Sequence, residues 1–260
     1  MKPHGYDLSG RVAIVTAGGE GIGKATATLL ASYGADVVIA GRTAQTLENT
    51  AKEIAAATGR KCLGVPTDAR EEDQVKHLVA RTIEEFGRVD ILVNGVGWSG
   101  NSPLSKMETQ MWKDDFTLNV DTAFLCTREV GKHFLKQKSG AVVNVSSVAG
   151  VSGVQGMAAY SSAKSALQML TRVAAAEWGP HGIRVNCVAP GLIATENAMK
   201  VYVANNLDVN QFCKGFPLQR PGRAEEIAQA IVFFVSDASS YITGETLVVN
   251  GGPAMGGAGD

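Results

Sequence analysis

The 260-residue sequence has no apolar run approaching the ~20 residues that a membrane-spanning helix needs, and its opening residues, MKPHGYDLSG, carry no apolar signal core. These absences predict a cytoplasmic protein with no membrane partner. Charges nearly cancel, 24 basic against 25 acidic, so no global field points to nucleic acid as a partner. Cysteine is scarce. Cys62, Cys126, Cys187 and Cys213 stand far apart in apolar or mixed runs, with no Cys-x-x-Cys and no Cys/His cluster for zinc, and read as reduced packing residues. His4, His77, His133 and His181 have no partner spacing for a metal or a Ser-His-Asp triad and are assigned to surface or packing, so no metal is expected. Repeats, low-complexity tracts and Pro/Ser-rich linkers are also missing. What remains is a chain sized for one large core and for small-molecule chemistry.

From Arg11 onward, short β-branched runs alternate with longer amphipathic stretches. The runs are VAIVT, VVIA, CLGV, ILVN, AVVNV, IRVNCV and TLVV, and helical stretches are expected at 22–33, 43–57, 71–86, from about 107 to 136, 157–178 and 224–235. Such alternation predicts an α/β fold: a Rossmann-type doubly wound parallel sheet of about seven strands, helices on both faces, in one catalytic domain over 1–260. One stretch breaks the rhythm. Residues 191–223 form either a substrate lid or a helical excursion for packing, with 197–207 itself helix-like.

Residues 16–23, TAGGEGIG, follow the first strand and open a helix. There Thr16, Gly18, Gly19, Gly21, Ile22 and Gly23 would bring the backbone close to a pyrophosphate, and the helix N-terminus would offer unpaired N–H groups and a positive dipole end. A purely structural turn is the alternative. At the end of the second strand, VVIAGRT places Gly41 where an acid would bind the ribose hydroxyls of NAD, and Arg42 follows, as suits a 2′-phosphate. The expected cofactor is therefore NADP, with NAD as the alternative; Glu20 in the glycine turn opposes it by charge. Further on, Tyr160 and Lys164 are four apart, so on a helix the ammonium would lie near the phenol and lower its pKa from about 10. An ordinary helix pair has the same spacing.

Several ordered motifs together resemble the short-chain dehydrogenase/reductase family. TAGGEGIG is similar to its Thr-Gly-x-x-x-Gly-Ile-Gly turn, with Ala17 in place of the first glycine, and DILVNGVG at 90–97 resembles its Asp-Ile-Leu-Val-Asn-Asn-Ala-Gly. Ser147 precedes Tyr160 by 13 positions, the family's spacing between catalytic serine and tyrosine, Asn119 lies in the family-like LNVDTAF, and PGLIAT and SYITGETLVVNGG resemble later segments. The resemblance implies a catalytic set of Asn119, Ser147, Tyr160 and Lys164. Tyr160 would be the general acid or base, Lys164 would tune it and hold the nicotinamide ribose, Ser147 would donate to the substrate oxygen, and Asn119 would position a relay water. It also implies cofactor contacts from Asp68 and Ala69 at the adenine, from Asn94 and Gly95 at the centre, and from Pro190, Gly191, Ile193 and Thr195 around the nicotinamide. Taken singly, each has a structural alternative: Asp68 as a helix cap, Ser146 or Ser147 as turn residues, Asn119 as a buried amide.

Substrate contacts are expected from Trp98, Ser147, Val154, Gln155, Met199 and Tyr202, with Phe212 and Phe216 beside them. Their apolar character suits a greasy carbonyl or a closed core equally. Lys132, Lys136 and Lys138 either dock an acidic acyl-carrier helix or complement a helix dipole. Resemblance implies a homotetramer through 108–136 and 158–178, with Ala163, Ala166 and Ala174 permitting close helix packing. The expected reaction is hydride transfer between NADP(H) and a ketone or secondary alcohol, a 3-oxoacyl thioester among them. The alternatives are an enoyl- or dienoyl-thioester reductase, since TEN follows PGLIA, and a catalytically silent dinucleotide sensor or scaffold.

Overall fold

The computed structural model describes residues 5–98, 100–204 and 206–252, so His4 lies outside the described residues. All seven expected strands form: β1 (Val12–Thr16), β2 (Asp36–Gly41), β3 (Cys62–Pro66), β4 (Ile91–Asn94), β5 (Gly140–Val145), β6 (Ile183–Pro190) and β7 (Thr246–Val249). They make one sheet in the order β3-β2-β1-β4-β5-β6-β7, every pairing parallel. The chain runs outward from β1 in one direction and then reverses to β4, so β1 and β4 flank the switch point at which doubly wound sheets open a crevice. Thr16, Gly41, Asn94, Val145 and Pro190 all end their strands on that one edge.

Both faces are covered, which is why β1 reads as an unbroken apolar run rather than an alternating one. Ala13 and Val15 face one core with Leu30 of α1 (Gly21–Ser32), Leu47 and Ile54 of α2 (Ala44–Thr58), and Ile227 and Ile231 of a later helix, 224–235. Ile14 points the opposite way, into a core with Leu78 of α3 (Glu72–Phe86), Phe134 of a helix over 122–137 and Ala174 of one over 158–178. Each such buried aliphatic chain contributes about 2 kcal/mol.

The expected helix from 107 to 136 is divided. It comprises α4 (Thr109–Phe116), a wide turn of π-helix (Thr117–Asp121) and α5 (Thr122–Gln137). Periodicity alone does not reveal an inserted residue, and such a bulge is characteristically found at functional sites. Here it carries Asn119. After β5 come a short α6 (Ala149–Ser152) and the long α7 (Ala158–Trp178); after β6, the stretch 191–223 holds α8 (Glu196–Ala204) and α9 (Val209–Cys213), with Asn205 outside the described residues. The last helix is α10 (Ala224–Val235). Among the described residues, no helix is long and apolar enough to cross a membrane. Lys132 pairs with Glu129, Lys136 lies in the last turn of α5, and Lys138 closes that helix in a left-handed conformation.

Candidate active site

The turn after β1 is shaped by what its residues lack. A Cβ on Gly23 would stand 2.0 Å from the Ala17 carbonyl oxygen, and one on Gly18 would stand 2.8 Å from both Ile39 and the Val15 carbonyl. The loop can therefore press against the sheet end only with glycine there, and Gly18 N–H donates to Ala40 O at 3.1 Å. Gly21 has φ 52 and lies against Thr195, whose methyl would be 3.3 Å from a Cβ on it. Ala17, where the family-like motif has glycine, also takes a left-handed φ of 52, at a cost of about 1 to 2 kcal/mol. No side chain caps α1, and its first turn carries no acid. Its leading N–H groups and positive dipole end thus suit the pyrophosphate of a dinucleotide.

Thr16 joins this turn to the neighbouring strand, its hydroxyl donating to Val93 O at 3.3 Å and accepting from Gly95 N–H at 3.0 Å. Asn94 is expected at the cofactor's centre. Its side chain is buried, and its amide donates to Thr127 and to Asn144, whose own amide donates to Thr171. The side chains of Ile22 and Ile193 pack on one core and that of Ala69 on the other. Pro190 O accepts from Val148 N–H, and Gly191 N–H donates to Val249 O, tying the start of 191–223 to the sheet.

At the end of β2 and β3, Arg42 is exposed. Asp68 is held by Arg70, whose Nε donates to its carboxylate at 2.9 Å, and this hydrogen bond is the main reason the carboxyl's pKa lies below its usual value; Arg42 adds to the same effect. Glu20 does not lean toward that corner. Its carboxylate accepts from Asn197 Nδ2 of α8 at 2.7 Å.

Four side chains meet at the carboxyl end of β5. Lys164 is only 2% exposed, and its ammonium donates to Val145 O at 2.9 Å. Burial brings its pKa down to about 8. Its nitrogen is 5.7 Å from the centre of the Tyr160 ring. The expected lowering of the phenol by this ammonium is corrected by the structure: burial pushes the Tyr160 pKa up, hydrogen bonding with Ser147 pulls it back, and nearby Tyr202 and Asp115 raise it further. The ammonium itself is turned to the Val145 carbonyl. Ser147 Oγ also accepts from Ala149 N–H at 3.1 Å.

Asn119 is fully buried in the π-turn, its amide nitrogen donating to Trp98 O and Asp115 O, both at 2.9 Å. Its Oδ1 is buried with no hydrogen-bond partner. A Cβ on Gly97 would sit 2.8 Å from that oxygen and 2.6 Å from Lys164 Nζ, so both atoms border the small space beside this glycine. An unpaired buried acceptor next to an ammonium is what a bridging water would satisfy.

Trp98 is half exposed after β4, Val154 and Gln155 are exposed between α6 and α7, and Met199 and Tyr202 lie half-buried on α8. Phe212 and Phe216 contact one another, ring centres 5.6 Å apart. A separate surface recess of about 510 Å³, bordered by Arg60, Cys62 and Phe86, lies at the opposite end of β3 and shares no residue with this site.

Residues 16–253 match a family model described as enoyl-(acyl carrier protein) reductase. Over 249 residues the chain is 39% identical to a 3-oxoacyl-[acyl-carrier-protein] reductase of Synechocystis, covering 95% of this chain and 98% of that one. The chain belongs to the short-chain dehydrogenase/reductase family. It is also 35% identical over 253 residues to a peroxisomal 2,4-dienoyl-CoA reductase of Danio rerio, covering 97% of this chain and 84% of that one. Among solved structures, a 7α-hydroxysteroid dehydrogenase complexed with NADH and 7-oxo glycochenodeoxycholic acid superposes with a TM-score of 0.91 at 31% identity, covering 98% of each chain. The protein is accordingly an oxidoreductase of a family that binds a nicotinamide dinucleotide.

Sequence reasoning missed three neighbours of the tetrad. Gly97 stood inside DILVNGVG, and only its contacts reveal that it spaces Lys164 from Asn119. Ser146 was legible only as a strand-end serine, and Gln168 only as the residue one turn beyond Lys164 on α7. The Glu20–Asn197 contact spans 177 residues and had no local signal.

Proposed function

We propose that this short-chain dehydrogenase/reductase transfers hydride between NADP(H) and an apolar ketone or secondary alcohol, with 3-oxoacyl thioesters as one substrate class. The convergence of Ser147, Tyr160 and Lys164 at the end of β5, beside the orphaned Asn119 oxygen, carries this reading. A bound nicotinamide supplies or accepts the hydride. Gly18, Gly19, Gly21, Gly23 and the α1 N-terminus would hold the cofactor's pyrophosphate, and Thr195 and Lys164 its nicotinamide end. Tyr160 delivers a proton to the substrate oxygen in reduction and removes it in oxidation. Ser147 donates to that oxygen as negative charge builds there. Lys164, whose ammonium lies close to its own titration range, tunes Tyr160 and receives protons relayed by a water that Asn119 positions.

Preference for NADP(H) is supported by Gly41 and by exposed Arg42, while the Glu20 carboxylate in the glycine turn is engaged by Asn197. Residues 191–223 act as the lid, with Tyr202 near enough to the reacting phenol to influence it electrostatically. A homotetramer would use Phe124 and Leu135 of α5 with Met169 and Val173 of α7, all exposed. The expected alanine seam needs correction: Ala163 and Ala174 are buried within the chain and cannot face another subunit. Likeness to the dienoyl-CoA reductase favours a second reading, reduction of an enoyl or dienoyl thioester, but the Ser147–Tyr160 hydrogen bond suits a carbonyl oxygen better.

The test is a panel of ketones, 3-oxoacyl thioesters, enoyl thioesters and secondary alcohols, followed by nicotinamide absorbance in the parent and in Tyr160→Phe. The variant is expected to lose turnover of every ketone the parent accepts while still binding NADPH. Undiminished turnover overturns the assignment of Tyr160, and activity confined to enoyl thioesters selects the second reading.

A further inference from the structure

Ser147 sits at a strand end, whereas Tyr160 and Lys164 ride on α7, and the residues between them include an exposed run, 151–155. Something other than the connecting chain must fix the distance between those two elements. Two consecutive residues at the end of β5 grip Lys164. Val145 O accepts from its ammonium at 2.9 Å, and the Ser146 hydroxyl donates to its backbone carbonyl at 2.9 Å. Gln168, one turn further along the same face of α7, completes the contact by donating from Nε2 to Ser146 Oγ at 3.0 Å. Ser146 is itself fastened to the sheet through its N–H, which donates to Val188 O at 2.8 Å. The surroundings are tight: a Cβ on Gly150 would come within 2.7 Å of the Lys164 carbonyl carbon and 2.9 Å of Gln168 Nε2. Ser146 and Gln168 are buried, at 4% and 9% exposure.

We propose that Gln168 and Ser146 are positioning residues: a buried hydrogen-bond clip that sets the strand carrying Ser147 against the helix carrying Tyr160 and Lys164. The inference rests on the reading of those three residues as the reacting set. Neither Gln168 nor Ser146 touches substrate or cofactor in this role. Their effect passes through the placement of Ser147 relative to Tyr160, where a displacement of about 1 Å costs up to about a hundredfold in rate.

The experiment compares Gln168→Leu, Gln168→Glu, Ser146→Ala and the Ser146→Ala/Gln168→Leu double variant. The readouts are kcat, KM, melting temperature and the ultraviolet titration of Tyr160, assigned by difference from Tyr160→Phe. Gln168→Leu and Ser146→Ala are each expected to lower kcat about tenfold or more with KM for NADPH within about twofold, and the double variant to be no worse than the poorer single one, as for residues acting as one unit. Gln168→Glu keeps the shape and exchanges the donor for an acceptor once its buried carboxyl ionises, so its loss of rate should grow as pH rises. The Tyr160 titration should move toward its ordinary value as water reaches the loosened site. A folded Gln168→Leu with kcat within twofold of the parent and an unmoved Tyr160 titration overturns the clip, as does multiplication of the two single losses in the double variant. If Gln168→Leu does not fold, Ser146→Ala, which removes one oxygen, decides by the same criteria. The titration is independent of turnover, so a parent inactive on every carbonyl would sink the functional reading and still leave the clip to be judged.

Discussion

The glycine turn after β1 and the tetrad after β5 lie on the same edge of the sheet and are specified by opposite means. In the turn, position is set by missing side chains: loop and strand approach so closely that a single methyl would collide with a carbonyl oxygen. At the tetrad, position is set by side chains present and buried, with Lys164, Ser146, Gln168 and Asn119 tied to main-chain or side-chain partners. Steric specification tolerates polar change and forbids added volume. Hydrogen-bond specification tolerates little loss of donors and leaves identifiable orphans, such as the Asn119 oxygen.

The largest break in this comparison is Gly23→Ala. With a Cβ placed 2.0 Å from the Ala17 oxygen, the turn must move, and NADPH affinity is expected to fall by about a hundredfold or more, roughly 3 kcal/mol. Fluorescence titration with NADPH checks it. The same variant should leave the ultraviolet titration of Tyr160 intact if the two regions are independent.

Lys164→Met probes the other side. A lysine whose folded pKa is depressed to about 8 from 10.5 binds its proton more weakly when folded than when unfolded. It therefore lowers stability by about 3 kcal/mol below pH 8, and the parent regains that amount as pH rises from 8 toward 10.5. Lys164→Met, which also leaves Val145 O without its donor, should lose stability relative to the parent between pH 7 and pH 10 and lack turnover at both. Denaturant melts at the two pH values measure it; a difference unchanged with pH contradicts burial as the cause.

Arg42→Ala is a smaller and more selective change. It should weaken NADPH about tenfold and NADH hardly at all, as judged by the ratio of the two dissociation constants. An unchanged ratio refutes the assigned role of this arginine. Smallest of all, Ala17→Gly should relieve a left-handed alanine and change the melting temperature by a few degrees at most, upward if strain outweighs the entropy glycine adds to the unfolded chain.

How much of this was legible in the sequence follows the same division. The turn could be read because glycines at fixed offsets after a strand are local and have few other uses, and all seven strands could be read because buried parallel strands are short apolar runs. Tyr160 and Lys164 were legible as a pair through their spacing, and Ser147 through resemblance to the family's pattern. Their electrostatics were not: the i, i+4 rule places an ammonium near a phenol but does not reveal that Val145 O takes the ammonium and that burial dominates the phenol. The contacts of Asn94 with Thr127 and Asn144 were hidden for a related reason, since a strand-end asparagine carries no local sign of a buried network. The partner of Glu20, Asn197, lies 177 positions away and left no local signal.

The separation of binding from chemistry is tested most directly by measuring NADPH affinity and ketone turnover side by side in Tyr160→Phe and Gly23→Ala. Tyr160→Phe should bind NADPH as the parent does and turn nothing over, while Gly23→Ala should lose NADPH binding with the Tyr160 titration intact. Undiminished turnover in Tyr160→Phe, or loss of its NADPH binding together with its activity, would contradict the account.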